Sequence, residues 1–150
     1  MNGEVVILLD GKLSFDALQR RLVTAPSNAR KLVAEVPASY VAFDVLAAAG
    51  VDLRTQRWTV RRGRLEKLAS NWAAGPLQLS PVTDSLDEAQ ERFDVLPDAM
   101  GIEGLVVKGA ATRYIGGRRG WVKVNSVGVA VFYEFTRRTY DQDSSRSRGA

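Results

Sequence analysis

An α+β fold, with mostly antiparallel sheets flanked by helices, is what this sequence predicts. Short runs rich in β-branched and aromatic residues recur from Gly3 to Phe135. Amphipathic stretches fall between them, without the regular strand–helix–strand rhythm of a parallel sheet. The length, 150 residues, is that of one domain able to bury its own core.

The elements follow in order. GEVVILLD (residues 3–10) reads as a strand from almost the first residue, and Asp10-Gly11 is a turn signal. A domain that opens inside a strand is expected to have its beginning elsewhere. Ser14 is placed to cap a helix, FDALQRRL, with Leu13 and Leu18 at the staple positions and Phe15, Leu18 and Leu22 on one face. Residues 24–37 are ambiguous and compatible with a second helix closed by Pro37. SYVAFDVLAA (39–48) is a strand ended by Gly50. WTVRRGRLEKLASNW reads as a basic helix weakened by Gly63. LQLSPVT is a short strand stopped by Pro81. SLDEAQERFDVL is a helix capped by Ser85, with Asp87 and Glu88 favourable in its first turn. GLVVKG and WVKVN are two strands joined by the glycine- and arginine-rich loop AATRYIGGRRG, and VGVAVFYEF is a last strand. The polar remainder divides the chain into a domain over residues 1–136 and a disordered tail over 137–150.

Composition removes whole classes of chemistry. There is no cysteine and no histidine, so disulfides, thiolate nucleophiles, Ser-His-Asp triads and His-ligated zinc are all excluded. Lysine, arginine, carboxylate and hydroxyl remain, a set suited to a hard cation such as Mg²⁺ and a phosphate substrate. The net charge of +4 and a pI near 9.7 are compatible with nucleic acid without demanding it. Arginines cluster at 57–64, at Arg118 and Arg119, and at Arg137 and Arg138; solvated helix faces or loops are the plain reading of each group. No apolar run is long enough for a membrane span and no signal peptide is visible, so a soluble, cytoplasmic protein is expected.

Strand alternation then selects candidate residues. Trp121, Lys123 and Asn125 share one face; Val122 and Val124 share the other, which is expected in a core. Tyr40, Ala42, Asp44 and Leu46 form one face of their strand, and Val41, Phe43 and Val45 the other. Glu4 and Glu103 stand at strand starts beside Gly3 and Gly104, where the backbone can aim a side chain. Two carboxylates at strand starts and two lysines, Lys108 and Lys123, on later strands would form a polar pocket on an apolar sheet.

Four segments in order, NGEVV, SYVAFDVL, EGLVVKG and GWVKVN, resemble the later motifs of the covalent nucleotidyltransferases, and bacterial ATP-dependent DNA ligases above all. LQLSPVTDSLDEAQ resembles the connection between two of those motifs. The likeness covers roughly residues 2–125. It implies a partial ligase nucleotidyltransferase (ATP-grasp-like) domain, the later portion of an adenylation domain. The implied reaction joins nicked double-stranded DNA through enzyme–AMP and DNA–AMP intermediates, in repair or recombination. ATP is the AMP donor and Mg²⁺ the metal. By resemblance, Glu4 contacts the ribose or substrate end, Phe43 stacks on adenine, Glu103 holds the metal, Lys123 neutralises the α-phosphate, and Lys108 lies near the phosphates. Arg118 and Arg119 are the expected nucleic-acid contacts.

Departures from the family pattern matter too. The lysine nucleophile, followed shortly by aspartate and glycine, is expected upstream of NGEVV, where only Met1 stands. Lys12 follows Asp10-Gly11 in reversed order. Asn2 stands where aspartate is expected and Asn125 where a second lysine is expected. The chain is therefore expected to be truncated and unable to charge itself, which leaves room for a separate chain supplying the nucleophile. Two alternatives stand beside this: a non-catalytic nucleotide- or nucleic-acid-binding remnant, and an RNA ligase or capping-type nucleotidyltransferase.

Overall fold

The computed structural model describes residues 1–118 and 120–125 in full and the backbone of residues 132–137. Arg119, the first half of the last predicted strand and residues 138–150 lie outside the described residues. Arg137, which the sequence puts at the start of a tail, closes the final strand.

The first sheet is built from β1 (Asn2–Leu9), β2 (Lys12–Leu13), β3 (Ala38–Asp44) and β6 (Leu77–Leu79), in the order β2-β1-β3-β6. Asp10 and Gly11, both at positive φ, make the β1–β2 turn that Asp-Gly predicts. Helix α1 (Phe15–Leu22) is capped as expected, the Ser14 hydroxyl accepting from the Ala17 N–H at 3.2 Å. The ambiguous segment is a helix, α2 (Pro26–Glu35), with proline in the first turn where no N–H is needed. Arg21 donates to the Val36 carbonyl at 3.0 Å and ties the two helices together.

The strand expected over 39–48 is shorter. It ends at Asp44, and the chain then makes a two-stranded ribbon of β4 (Ala47–Ala48) and β5 (Val51–Asp52). Ala49 and Gly50, at φ of 49° and 77°, turn that ribbon, so Gly50 reverses the chain rather than simply ending a strand. Because alternation stops at Asp44, Val45 does not share a face with Phe43. It is fully buried in a cluster with Ala42, Leu53 and Leu65, against which Tyr40, Trp72 and Leu79 pack.

Helix α3 (Trp58–Ala69) supplies Leu65 to that cluster and covers β3. It is not the solvated basic face expected, since Arg61 and Arg62 are both buried. Its first amides are satisfied from outside the helix, Trp58 N–H by the Thr112 carbonyl and Thr59 N–H by the Ala110 carbonyl.

The second sheet runs β7 (Val82–Thr83), β10 (Phe132–Arg137), β8 (Gly104–Gly109), β9 (Val122–Asn125). LQLSPVT is therefore two strands, and Pro81 marks the point where the chain leaves one sheet for the other. Arg62 holds that point, donating to the Ser80 carbonyl at 2.8 Å. Helix α4 (Leu86–Met100) is capped by Ser85 and continues through Pro97, ending four residues beyond its predicted end at a left-handed Gly101 cap. Among the described residues four strand pairs are antiparallel and three parallel, the latter being β3 with β6 and β10 with both β7 and β8. The parallel β3–β6 pair needs a long crossover, which α3 provides.

Candidate functional site

Two neighbouring clusters form where the first sheet meets the second. The antiparallel register sets Lys123 opposite Val106 and Val122 opposite Val107, so alternation puts Lys108, Trp121 and Lys123 on one face. Phe43, from β3, meets that face edge-on: its ring centroid is 6.2 Å from that of Trp121, at 89°. Tyr114 also packs on Trp121, with ring centroids 6.3 Å apart at 63°.

Lys108 sits beneath these rings. Its Nζ is 4.0 Å from the Trp121 centroid and 4.9 Å from that of Phe43, and it donates to the Phe43 carbonyl at 3.4 Å. With 1% of its surface exposed, it is as buried as any side chain of the core. Burial pushes its ammonium down to about 7; Asp44 opposes the shift, while Arg62 and Arg61 add to it.

The second cluster is more open. Glu4 on β1, Glu103 just before β8 and Lys123 on β9 lie close enough for their charges to act on one another. Burial raises the Glu4 carboxyl, the Lys123 charge draws it down, and the Glu103 charge pushes it up again. Burial likewise raises Glu103, with Lys123 opposing. Gly104 is required here for a reason other than bending. A Cβ on it would lie 2.0 Å from the Val124 carbonyl oxygen, so glycine is what lets β9 approach and carry Lys123 to the carboxylates. Gly3 plays the matching part on β1, where a Cβ would meet the Val41 carbonyl oxygen at 2.5 Å.

The sequence-predicted residues Glu4, Phe43, Glu103, Lys108 and Lys123 are thus gathered from four strands. Arg118 is exposed in the loop between β8 and β9, and its partner Arg119 lies outside the described residues. The valine face of β9 corrects its expectation: Val122 and Val124 are 63% and 40% exposed, because β9 is the edge of its sheet.

Sequence reasoning missed the group beneath the site. Asp44 and Arg61, each wholly buried, form a two-pronged ion pair with both contacts at 2.8 Å. Asp44 also accepts from the Val45 N–H at 2.8 Å, and Arg61 donates to the Gln56 carbonyl at 2.7 Å. Every prong of the fork thus has an acceptor, which is what permits the pair to be buried. An aspartate inside an apolar strand was the signal available. Trp121 was also missed as the ring partner of Phe43, and Tyr114 as that of Trp121, because ring contacts across the fold leave no mark on local spacing.

Comparison with known proteins decides the family. Residues 1–125 match the model of the ATP dependent DNA ligase domain. The chain belongs to that family. It is 35% identical over 125 residues to DNA ligase C2 of Mycolicibacterium smegmatis, covering 83% of this chain and 34% of that protein. DNA ligase C of Mycobacterium tuberculosis is 30% identical over 133 residues, covering 87% and 37%. A DNA ligase of Archaeoglobus fulgidus is 32% identical over 132 residues, covering 85% and 23%. The chain therefore spans about a third of the length of the first two relatives. The match takes in every member of both site clusters. Among the described residues no helix is long and apolar enough to cross a membrane.

Proposed function

We propose that this ligase-family chain forms a nucleotide-handling half-site of an enzyme that seals nicked double-stranded DNA with ATP as AMP donor. The observation that carries the reading is the meeting of Glu4, Glu103 and Lys123, with Lys123 on the strand face of Trp121, whose ring Phe43 meets edge-on. In this reading Phe43 is the adenine platform, Glu4 meets the ribose or substrate end, and Lys123 sets its charge against the α-phosphate. Glu103 fits a divalent cation such as Mg²⁺, which is commonly held by one or two carboxylates with phosphates completing its shell. When bound, that ion supplies charge neutralisation. Phosphoryl-type transfer needs mainly positioning and stabilised charge, which these residues offer without an imidazole or thiolate.

Lys108 takes a supporting role. Its depressed ammonium meets one requirement for a nucleophile, but an amine under Trp121 with 1% exposure has no path to an α-phosphate. It holds the Phe43 backbone and Trp121 in place instead. Lys123 is committed to the phosphate, Lys31 pairs with Glu35 on exposed α2, and Lys12 and Lys67 lie on β2 and α3, which contribute no residue to either cluster. The attacking lysine in this reading comes from outside these residues, either another part of the ligase or a separate chain. Arg118 would contact the DNA backbone, giving weak binding with a shallow salt dependence of roughly −0.9 per phosphate contacted.

The test is ATP binding by calorimetry together with labelled ATP and Mg²⁺ in a covalent-capture assay. Binding without a lysine–AMP adduct is expected. Phe43→Ala and Lys123→Ala should each weaken binding roughly tenfold or more, since one stacked base contributes about 1–3 kcal/mol. A labelled band at the chain's own mass, lost in Lys12→Ala or Lys123→Ala, would overturn the assignment of roles. Unchanged affinity in both Phe43→Ala and Lys123→Ala would remove the half-site itself.

A further inference from the structure

The arginines crowded into residues 57–64 are divided by the fold. Arg61 is held by Asp44, and Arg62 by Glu66 and the Ser80 carbonyl. Arg57 and Arg64 are exposed. Helical periodicity sets these two on one line of α3, with exposed Lys67 beside it. Glu66, the only carboxylate of the helix, falls on the opposite side. Among the described residues, the side chains of Arg57, Arg64 and Lys67 have no hydrogen-bond or ion-pair partner.

Arg57 is also badly placed for stability. It is the N-cap of α3, where a short oxygen-bearing side chain is preferred, and it makes no side-chain cap. The helix dipole brings positive partial charge to that end, and no acidic residue in the first turn offsets it. Lys67, in the last turn, suits the dipole; Arg57 opposes it. A residue that the local rules disfavour, with nothing gained inside the fold, points to a use outside it.

The same end of α3 is fastened to the loop after β8. Trp58 N–H donates to the Thr112 carbonyl at 2.7 Å, and Tyr114 N–H to the Arg54 carbonyl at 3.0 Å. Exposed Arg113 lies between those two anchors, next in sequence to Tyr114, whose ring packs on Trp121. A line of cations therefore runs from the edge of the ring cluster along α3. At the helical rise it extends about 10 Å from Arg57 to Arg64 and about 15 Å to Lys67. Each strand of duplex DNA carries a phosphate every ~3.4 Å along its axis, so the line spans several phosphates.

We propose that Arg113, Arg57, Arg64 and Lys67 form a track for the phosphate backbone of duplex DNA, holding the duplex alongside the nucleotide cluster. The choice of DNA as the polyanion rests on the function proposed above, while the track shares no residue with Glu4, Phe43, Glu103 and Lys123.

The experiment follows the fluorescence anisotropy of a labelled nicked duplex titrated with the full 150-residue chain over a series of salt concentrations. The combined variant Arg57→Gln, Arg64→Gln, Lys67→Gln should lose roughly tenfold or more in affinity at low salt, with a log–log salt slope shallower by about 2.7. Arg57→Asp separates this role from a structural one. It should bind DNA several-fold more weakly while its thermal midpoint stays equal or rises, because aspartate is the better cap and suits the dipole. Calorimetry should show ATP affinity unchanged in the combined variant. Undiminished DNA affinity in that variant, with ATP still bound, would overturn the track and leave the nucleotide reading standing. Absence of ATP binding in the parent, with DNA affinity still lost in the variant, would remove the nucleotide reading and leave the track. A lowered thermal midpoint in Arg57→Asp, or binding of poly-glutamate as tight as that of the duplex, would also overturn the track, the first in favour of a structural arginine and the second of an acidic protein partner.

Discussion

Two aspartate–arginine pairs in this chain have almost the same local chemistry and opposite surroundings. Asp44 and Arg61 meet through two contacts of 2.8 Å with neither side chain exposed. Asp52 and Arg54 meet through contacts of 2.7–3.1 Å, with side chains 51% and 59% exposed. Both are forked, charge-assisted pairs. What separates them is water. The buried pair has exchanged its hydration for fixed carbonyls and amides, so each partner depends on the other. The exposed pair can fall back on solvent at any moment. Equal geometry therefore does not imply equal importance, and the difference can be measured.

The largest effect should come from breaking the buried pair. Asp44→Ala leaves a guanidinium without its counter-charge in the core and should cost about 3–5 kcal/mol. Arg61→Lys should also destabilise, since one ammonium cannot reproduce a fork that serves Asp44 and the Gln56 carbonyl together. Urea unfolding of the chain and these variants is the check. A loss near zero for Asp44→Ala would mean that the site above this pair rests on something else.

How much of this was readable beforehand depends on the range of the interaction. The α+β class, the Ser14 and Ser85 caps and the Asp10-Gly11 turn rest on neighbours in sequence, and all of them stand in the structure. The candidate residues Glu4, Phe43, Glu103, Lys108 and Lys123 came from motif order, and the fold gathers them although Glu4 and Lys123 are far apart in the chain. What escaped was decided by long-range contacts. Nothing local distinguishes the buried Arg61 and Arg62 from the exposed Arg64, because only the packing of α3 on β3 separates them. The valines of β9 alternate like core residues, and only sheet order shows that β9 is an edge. Lys108 reads like Lys123 in its strand; one lies on a central strand under rings and the other on the edge.

Lys108 sharpens the comparison, because it shares the dry region with Asp44 and Arg61. Its folded value of about 7 is below the ordinary 10.5, so the unfolded chain holds the extra proton between those values. Stability from this group therefore rises with pH across that window, and the penalty of burying the charge is fully present below about pH 7. Lys108→Met should raise stability near pH 6 and remove this slope, lowering the difference between the two proteins at pH 9.5. Identical slopes for both proteins in urea titrations at pH 6.5 and 9.5 would show that Lys108 is not responsible.

Glu103 offers an intermediate case, partly buried and next to a charge it shares with Glu4. Its raised carboxyl means that the folded chain holds the proton more tightly, so its contribution to stability is lost as pH rises through the folded value. At pH 7 the ionised form is the less comfortable one, and Glu103→Gln should be neutral or slightly stabilising. The same change should weaken any Mg²⁺ dependence of ATP binding. A clear loss of stability would recast Glu103 as a structural residue.

The smallest effect should come from the exposed pair. The Arg54 hydrogen bonds hold the Asp52 carboxyl down to about 2, well below its ordinary 3.8. By sign, stability from this group is present above 3.8 and lost as pH falls toward 2. Both side chains, however, face water, where salt screens the attraction and holding two mobile side chains together has its own entropic penalty. Asp52→Asn should therefore leave the urea midpoint at pH 7 and physiological salt within error of the parent, while Asp44→Asn moves it far. One feature could upset this: Asp52 also accepts from the Arg54 backbone N–H at 2.9 Å, an arrangement that shapes the turn after β5. Asparagine keeps that acceptor and alanine removes it. A loss in Asp52→Ala that is absent in Asp52→Asn would assign the residue's value to the turn. A comparable loss in both variants would instead show that exposure does not separate the two pairs.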